Sequence, residues 1–271
     1  MNTKNLFKTT ALSALLAALS VSAQAASYTY RIPVSNLSVQ ASTASQPAPP
    51  TAPPTAPPPA TQYALQYNGS ANDALSVVTP NPASFKNGFS AAMQVYSDGV
   101  YTFQNPPQQT LFAKTGEFEV AQFSDGTLEF ALDCNWNWIP TGAAVPLNQW
   151  SAVGFSYTAS TGAVLIAIDG KIAYSGTACA NIGIGTNPLD VGARSDAPTP
   201  WTGKIEQFAL WGLPLSSTQL QSVTSGTDPL SLATGLIVDL PLTQSSGTTV
   251  TDQSGNGNNG TLQGTVNWAT H

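Results

Sequence analysis

Two stretches of this sequence hold residues of types and at spacings that can do chemistry. The first is Asp252-Gln253-Ser254-Gly255-Asn256-Gly257-Asn258. Calcium takes oxygen ligands from carboxylates, amides and backbone carbonyls, and glycines at alternating positions let a chain fold tightly enough to aim several at one point. The run is therefore a candidate calcium loop through Asp252, Asn256 and Asn258. The alternative is an Asn-Gly turn closed by its own side chains. The second stretch is Cys134-Asn135-Trp136-Asn137-Trp138. Pyranose rings offer apolar faces that stack on indoles, and their hydroxyls pair with amides. Trp136 and Trp138, interleaved with Asn135 and Asn137, thus form a candidate glycan platform, because side chains at i and i+2 of a strand point the same way. The alternative is that both indoles fill space around Cys134. Tyr101, in the loop from Asp98 to Pro107, is a further aromatic candidate.

Other chemistries are excluded by composition. The only histidine is His271, so no Ser-His-Asp triad, Cys-His pair or multi-histidine zinc site can form. Lys and Arg together number 8 against 14 Asp and Glu, a net charge of −6, which leaves no basic face for nucleic acid. Glu117 and Glu119 share one strand face as a glycosidase pair would. Retaining chemistry, however, needs two carboxyls about 5.5 Å apart across a bound sugar, and no third acid completes the group. The sequence points away from an enzyme.

The elements that must position these residues are strands. Charged residues make up 8% of the 271 residues, against about 25% in an ordinary soluble domain. With 22 Gly and 21 Pro this indicates a loop-rich, β-rich chain outside the cytoplasm. Lys4 and Lys8 precede an apolar run from Ala11 to Val21, shorter than the ~20 residues that span a bilayer. Ala23-Gln24-Ala25 follows, so residues 1–25 read as a secretory signal peptide cleaved after Ala25. The mature chain is expected to be secreted, periplasmic or at the cell surface, with no membrane span. Residues 26–46 form a short segment, too small to fold alone, that docks elsewhere or has no fixed structure. Between Pro47 and Pro59 eight of thirteen residues are proline, so residues 47–62 read as a semi-rigid polyproline spacer. Residues 63–271 then make one domain.

Within that domain, short runs rich in β-branched and aromatic residues recur between turn residues: Tyr63–Tyr67, Phe89–Tyr96, Thr110–Lys114, Phe118–Phe123, Leu128–Leu132, Trp150–Tyr157, Val164–Ile168, Lys171–Ser175, Ile205–Trp211 and Leu236–Leu242. Asp169-Gly170 predicts a type I′ hairpin. Ser216 to Val223 predicts one short helix, capped by Ser216 or Ser217. Cys134 and Cys179, the only cysteines, predict one disulfide in an oxidising compartment. The whole reads as an all-β, antiparallel two-sheet sandwich.

Several segments in consistent order resemble one family. Ala64-Leu65-Gln66-Tyr67-Asn68-Gly69-Ser70, Phe89-Ser90-Ala91-Ala92-Met93, Pro146-Leu147-Asn148-Gln149-Trp150, Ile168-Asp169-Gly170-Lys171 and Gly203-Lys204-Ile205-Glu206-Gln207-Phe208-Ala209-Leu210-Trp211 are similar to the laminin-G-like, concanavalin A-like jelly roll of secreted bacterial proteins. Gly247 to Leu262 resembles that family's opening signature, yet here it comes last. The resemblance therefore implies a circularly permuted jelly roll, with residues 235–271 supplying strands from the far end. A truncated second copy is the alternative. It also implies a structural Ca²⁺ held by the Asp252 loop together with Glu206. The functional expectation is an exported, non-catalytic module that binds glycans or partner proteins at a surface. The alternatives are a structural or adhesive subunit of a surface assembly and, remotely, a polysaccharide hydrolase.

Overall fold

The computed structural model describes residues 62–77, 81–194, 196–197 and 199–271. The expected signal peptide (1–25), the segment 26–46 and residues 47–61 of the proline-rich spacer lie outside them. In chain order the strands are β1 (Tyr63–Asn68), β2 (Ala74–Val77), β3 (Gly88–Ser97), β4 (Phe103–Gln104), β5 (Pro107–Lys114), β6 (Phe118–Phe123), β7 (Thr127–Leu132), β8 (Ile139–Ala144), β9 (Trp150–Thr158), β10 (Ala163–Ile168), β11 (Lys171–Thr177), β12 (Leu189–Val191), β13 (Thr202–Trp211), β14 (Leu236–Leu240), β15 (Thr249–Val250), β16 (Gly260–Gln263) and β17 (Asn267–Thr270). One sheet runs β11-β10-β9-β3-β13-β1-β17, with β14 also on β13. The other runs β15-β16-β2-β12-β5-β6-β7-β8, with β4 on β5. These two antiparallel layers make the jelly-roll sandwich.

Period-two alternation decides which residues lie between the layers. Phe89 of β3 stacks on Phe118 of β6 with ring centroids 4.1 Å apart. Phe155 of β9 meets Phe112 and Phe130 of the opposite sheet edge-on. Burial of each such ring contributes about 1.5–3 kcal/mol. In β13 the inward residues Ile205 and Phe208 are three apart, which breaks the period. A bulge absorbs the extra residue: Gln207 takes a positive φ of 55°, and the register with β3 shifts between Glu206 and Phe208. Beyond the bulge, Ala209 and Trp211 face the other side of the first sheet. There they pack with Ala92, Leu215, Leu220 and Val223 under the helix α1 (Ser217–Thr224). Ser216 caps that helix, and its hydroxyl and the Gln219 side chain form a reciprocal capping box.

The hairpin at Asp169-Gly170 has positive φ at both residues, 48° and 76°, as a type I′ turn requires. Cys134 and Cys179 form the disulfide, with Cα atoms 6.3 Å apart. Among the tryptophans, Trp201 and Trp211 are fully buried, whereas Trp150 and Trp268 are half-buried. Of the strands that patterning missed, β2, β12 and β16 are three or four residues long and offer too few positions for a period to register, whereas the six-residue β8 carries a Pro and a Gly that read as turn residues.

The tail is part of the same body. β14 pairs with β13, β16 with β2 and β17 with β1. The β16–β17 turn is tied to the β1–β2 turn by the fully buried Asp73. Its carboxylate accepts from the Thr265 backbone N–H (2.6 Å) and hydroxyl (2.8 Å), and from the Asn68 and Ser70 N–H groups at 3.2 and 3.3 Å. A detached second copy is thereby ruled out.

Hydrogen bonds to a charged group contribute about 1.5–3 kcal/mol, and orphaned buried donors cost as much again. Asp73→Ala is therefore expected to lower unfolding free energy by about 3 kcal/mol or more in urea titration, with Asp73→Asn intermediate. A loss under about 1 kcal/mol would show that the two turns are held by something else.

Candidate ligand-binding face

The expected calcium loop is closed on itself. The Asp252 carboxylate accepts from the Asp239 N–H, the Ser254 N–H and hydroxyl, and the Asn258 N–H, all at 2.8–2.9 Å. The amide nitrogens of Asn256 and Asn258 donate to the Ile237 carbonyl at 3.1 and 2.8 Å. The carboxylate thus accepts from backbone of the loop and of β14, and the two amides donate to β14 carbonyls. Glu206 is engaged elsewhere, with its Oε2 2.8 Å from Nδ1 of His271. Asp252, Asn256, Asn258 and Glu206 as placed do not fit a calcium ion, and among the described residues no group of three acidic, histidine or cysteine side chains is arranged to hold a metal. The bonds drawn within the loop are those of the self-bonded turn.

Burial pushes the Asp252 carboxyl up, but its four donors outweigh this and hold it below the ordinary value. The neighbouring Asp239 goes the other way. Burial, then the charges of Asp228 and Asp252, push it up to about 6.

The two candidate indoles do not form one platform. Residues 133–138 are a turn rather than a strand, and Trp136 takes a positive φ of 54°, so alternation fails there. Trp136 lies under the guanidinium of Arg194, 5.1 Å from its centre. Trp138 packs edge-on against Phe123 at 5.0 Å. Tyr101 belongs with Trp138, since its hydroxyl donates to the Phe123 carbonyl at 2.8 Å. Asn135 and Asn137 are exposed, and Asn135 Oδ1 accepts from the Asn137 N–H.

Arg194 was not among the expected ligand residues, yet it organises the outer face of the second sheet. Its Nη1 donates to Glu119 Oε2 at 2.9 Å and its Nη2 to Asp196 Oδ2 at 2.9 Å, and Nε closes the fork on Asp196. The other oxygen of Glu119 accepts from Thr110 at 2.6 Å, and Thr110 bonds Thr199 at 2.8 Å. Burial pushes the Glu119 carboxyl up, opposed by Thr110 and Arg194. Glu117 lies before β6 and bonds Lys114 at 2.6 Å, so the two glutamates share no face.

Beside Arg194 the outward residues of β2, β12 and β16 are short. Ser76 stands opposite Asp190 and Thr261, and Ala74 opposite Gln263. The result is a cleft of about 370 Å³ bounded by Ala74, Ser76, Asp190, Arg194 and Gln263. That is within the ~300–1,000 Å³ of small-ligand sites. A larger cleft of about 450 Å³ is lined by Asn81, Ser84, Leu236, Ile237, Asn256, Asn258 and two glycines, but the amides of Asn256 and Asn258 are already paired with carbonyls.

A family model described as the concanavalin A-like lectin/glucanases superfamily, of the laminin-G type, matches residues 69–221. The chain belongs to this superfamily. Among solved structures it is similar to a candidate carbohydrate-binding protein from Bacteroides ovatus ATCC 8483, at 19% identity and a TM-score of 0.60, over 78% of this chain and 60% of that one. The chain thus spans about 60% of that protein's length. Domain 4 of AbnA, a GH43 extracellular arabinanase from Geobacillus stearothermophilus, solved with arabinotriose, matches at 22% identity and a TM-score of 0.44, over 59% of this chain and 76% of that one. A heptameric SAP-like pentraxin from Limulus polyphemus matches at 15% identity and a TM-score of 0.40, covering 64% and 79%. At these identities the likeness is one of fold. No curated protein matches the chain. Among the described residues no helix is long and apolar enough to cross a membrane.

Two measurements check this geometry. Adding calcium or a chelator is expected to leave the thermal unfolding midpoint unchanged, and a rise of several degrees with calcium would reopen the metal assignment. A carboxyl whose folded pKa is raised stabilises the fold while protonated, and that contribution is lost as pH rises from the unfolded value near 3.9 through about 6. Asp239→Asn should therefore melt higher than the wild type at pH 7.5 and level with it near pH 4. An equal loss at both pH values would sink the assignment.

Proposed function

We propose that this protein is an exported, non-catalytic module that binds glycans on the outer face of its second sheet. The observation that carries the reading is the cleft of about 370 Å³ between β2, β12 and β16 on one side and Arg194, which stacks on Trp136, on the other. Its floor is strand, so its polar groups are held rigidly. The short side chains of Ala74 and Ser76 leave room for a pyranose ring, and Asp190 and Gln263 offer hydrogen-bonding partners to hydroxyls. Trp136 stacks on Arg194, which lines this space, and on this reading it braces the arginine at the cleft's edge. The description of the Bacteroides relative as carbohydrate-binding agrees with this reading.

A binding role rather than hydrolysis is supported by the state of the two glutamates. Glu119 is engaged by Thr110 and Arg194 and Glu117 by Lys114, and both are buried, so neither is poised across an open sugar site. A second reading, a docking or adhesive subunit, has its own observation. Val100 and Leu147 are 57% and 43% exposed near the Tyr101–Phe123–Trp138 cluster, an apolar end suited to a protein partner.

Retention on a glycan array tests the first reading. Ser76→Tyr, which fills the cleft from an outward strand position, is expected to abolish retention, and Trp136→Ala to weaken it about ten-fold or more, the scale of a lost aromatic contact. Trp138→Ala should leave it unchanged. Retention that survives Ser76→Tyr but is lost in Trp138→Ala would move the site to the Tyr101 end.

A further inference from the structure

We propose that the cleft beside Arg194 accepts uncharged or amino sugars and rejects glycans that carry carboxylate or sulfate groups, an inference that rests on the reading of this cleft as a sugar site. An acidic sugar is normally read by the planar fork of an arginine. Among the described residues that line the cleft, Arg194 is the one base, and its fork is closed. Nε and Nη2 grip Asp196, and Nη1 grips Glu119.

The guanidinium is also not free to turn toward a ligand. Glu119 is fully buried and fixed from behind by Thr110, and the ring of Trp136 covers the guanidinium face. Around this closed fork the remaining charges are negative. Asp190 stands on the floor between β2 and β5, and Asp73 lies behind Asn72 and Gly264, which form the cleft's edge. The field of these two carboxylates is felt nearby: the Tyr67 hydroxyl, which donates to the Val191 carbonyl, is pushed up first by burial and then by Asp73 and Asp190. An incoming anion meets like charge across low-dielectric walls, where repulsion is strongest. The excess of 14 acidic over 8 basic residues gives the long-range field the same sign.

The test is an array that prints neutral, free-amino, carboxylated and sulfated versions of the same glycan backbones, probed with the full chain at low and high salt. Bound spots are expected to be neutral or amino, with the carboxylated or sulfated counterpart of any bound glycan at least about ten-fold weaker and the gap narrowing at high salt. Asp196 is exposed, so Asp196→Asn should fold normally. It opens the Arg194 fork and is expected to narrow the gap. Acidic counterparts bound as tightly as neutral ones would overturn this inference while leaving the glycan-binding reading intact. An unchanged gap in Asp196→Asn would remove the closed fork as its cause. Retention of no glycan of any charge would overturn the glycan-binding reading, and this inference with it.

Discussion

The architecture depends on one buried carboxylate. Asp73 sits in the turn between β1 and β2, the strands that belong to opposite sheets, and it accepts from Thr265, 192 residues later, in the turn between β16 and β17. Those last two strands also belong to opposite sheets, β17 beside β1 and β16 beside β2. A single charged group thus ties two sheet-crossing turns to each other, and both layers are registered at that point. Buried charge is costly unless fully satisfied, and here four donors surround it. Asp252 repeats the device at the Ser254–Asn258 turn. In both places backbone N–H groups converge on a carboxylate, where a metal loop would need oxygens converging on a cation.

The outer face of the second sheet follows from this closure. One wall of the cleft, Gln263 and Gly264, comes from the tail, and another, Ala71 and Asn72, from the first turn of the domain. The opposite side is the Arg194 loop, which the Glu119–Thr110–Thr199 chain of hydrogen bonds holds down on the strands. Trp136 reaches this place because the disulfide at Cys134 pins its turn to the segment after β11, and because its backbone abandons the strand conformation. A surface whose parts come from residues 71 to 264 exists only in the closed sandwich, so its hydrogen-bonding groups are preorganised by the same contacts that give the fold its stability.

Long strands, the I′ hairpin, the capped helix and the disulfide were legible in the sequence, because each is governed by neighbours within a few residues or by a count. Val164, Ile166 and Ile168 alternate, and Asp169-Gly170 can adopt positive φ at low cost. Ser216 and Gln219 satisfy each other three residues apart. The candidate site was less legible. Asp252, Asn256 and Asn258 have the composition of a metal loop and of a self-bonded turn alike. Which of the two forms depends on where the carbonyls of Leu236 and Ile237 lie, and those come from another strand. Trp136 and Trp138 are two apart in the chain, but one positive φ sends them to Arg194 and Phe123 respectively.

The sequence by itself determined an all-β chain of the laminin-G type, low in charge and without histidine chemistry. Hydrophobic period, turn residues and residue counts are local properties that survive without coordinates. The tertiary structure alone decided that Arg194 faces two carboxylates, that Asp73 meets Thr265, and that the small side chains of β2 lie open beside Asp190. Asp196 is two positions from Arg194, but Glu119 is 75 positions away and Thr265 is 192 from Asp73, and no local pattern encodes which distant partner a side chain will meet.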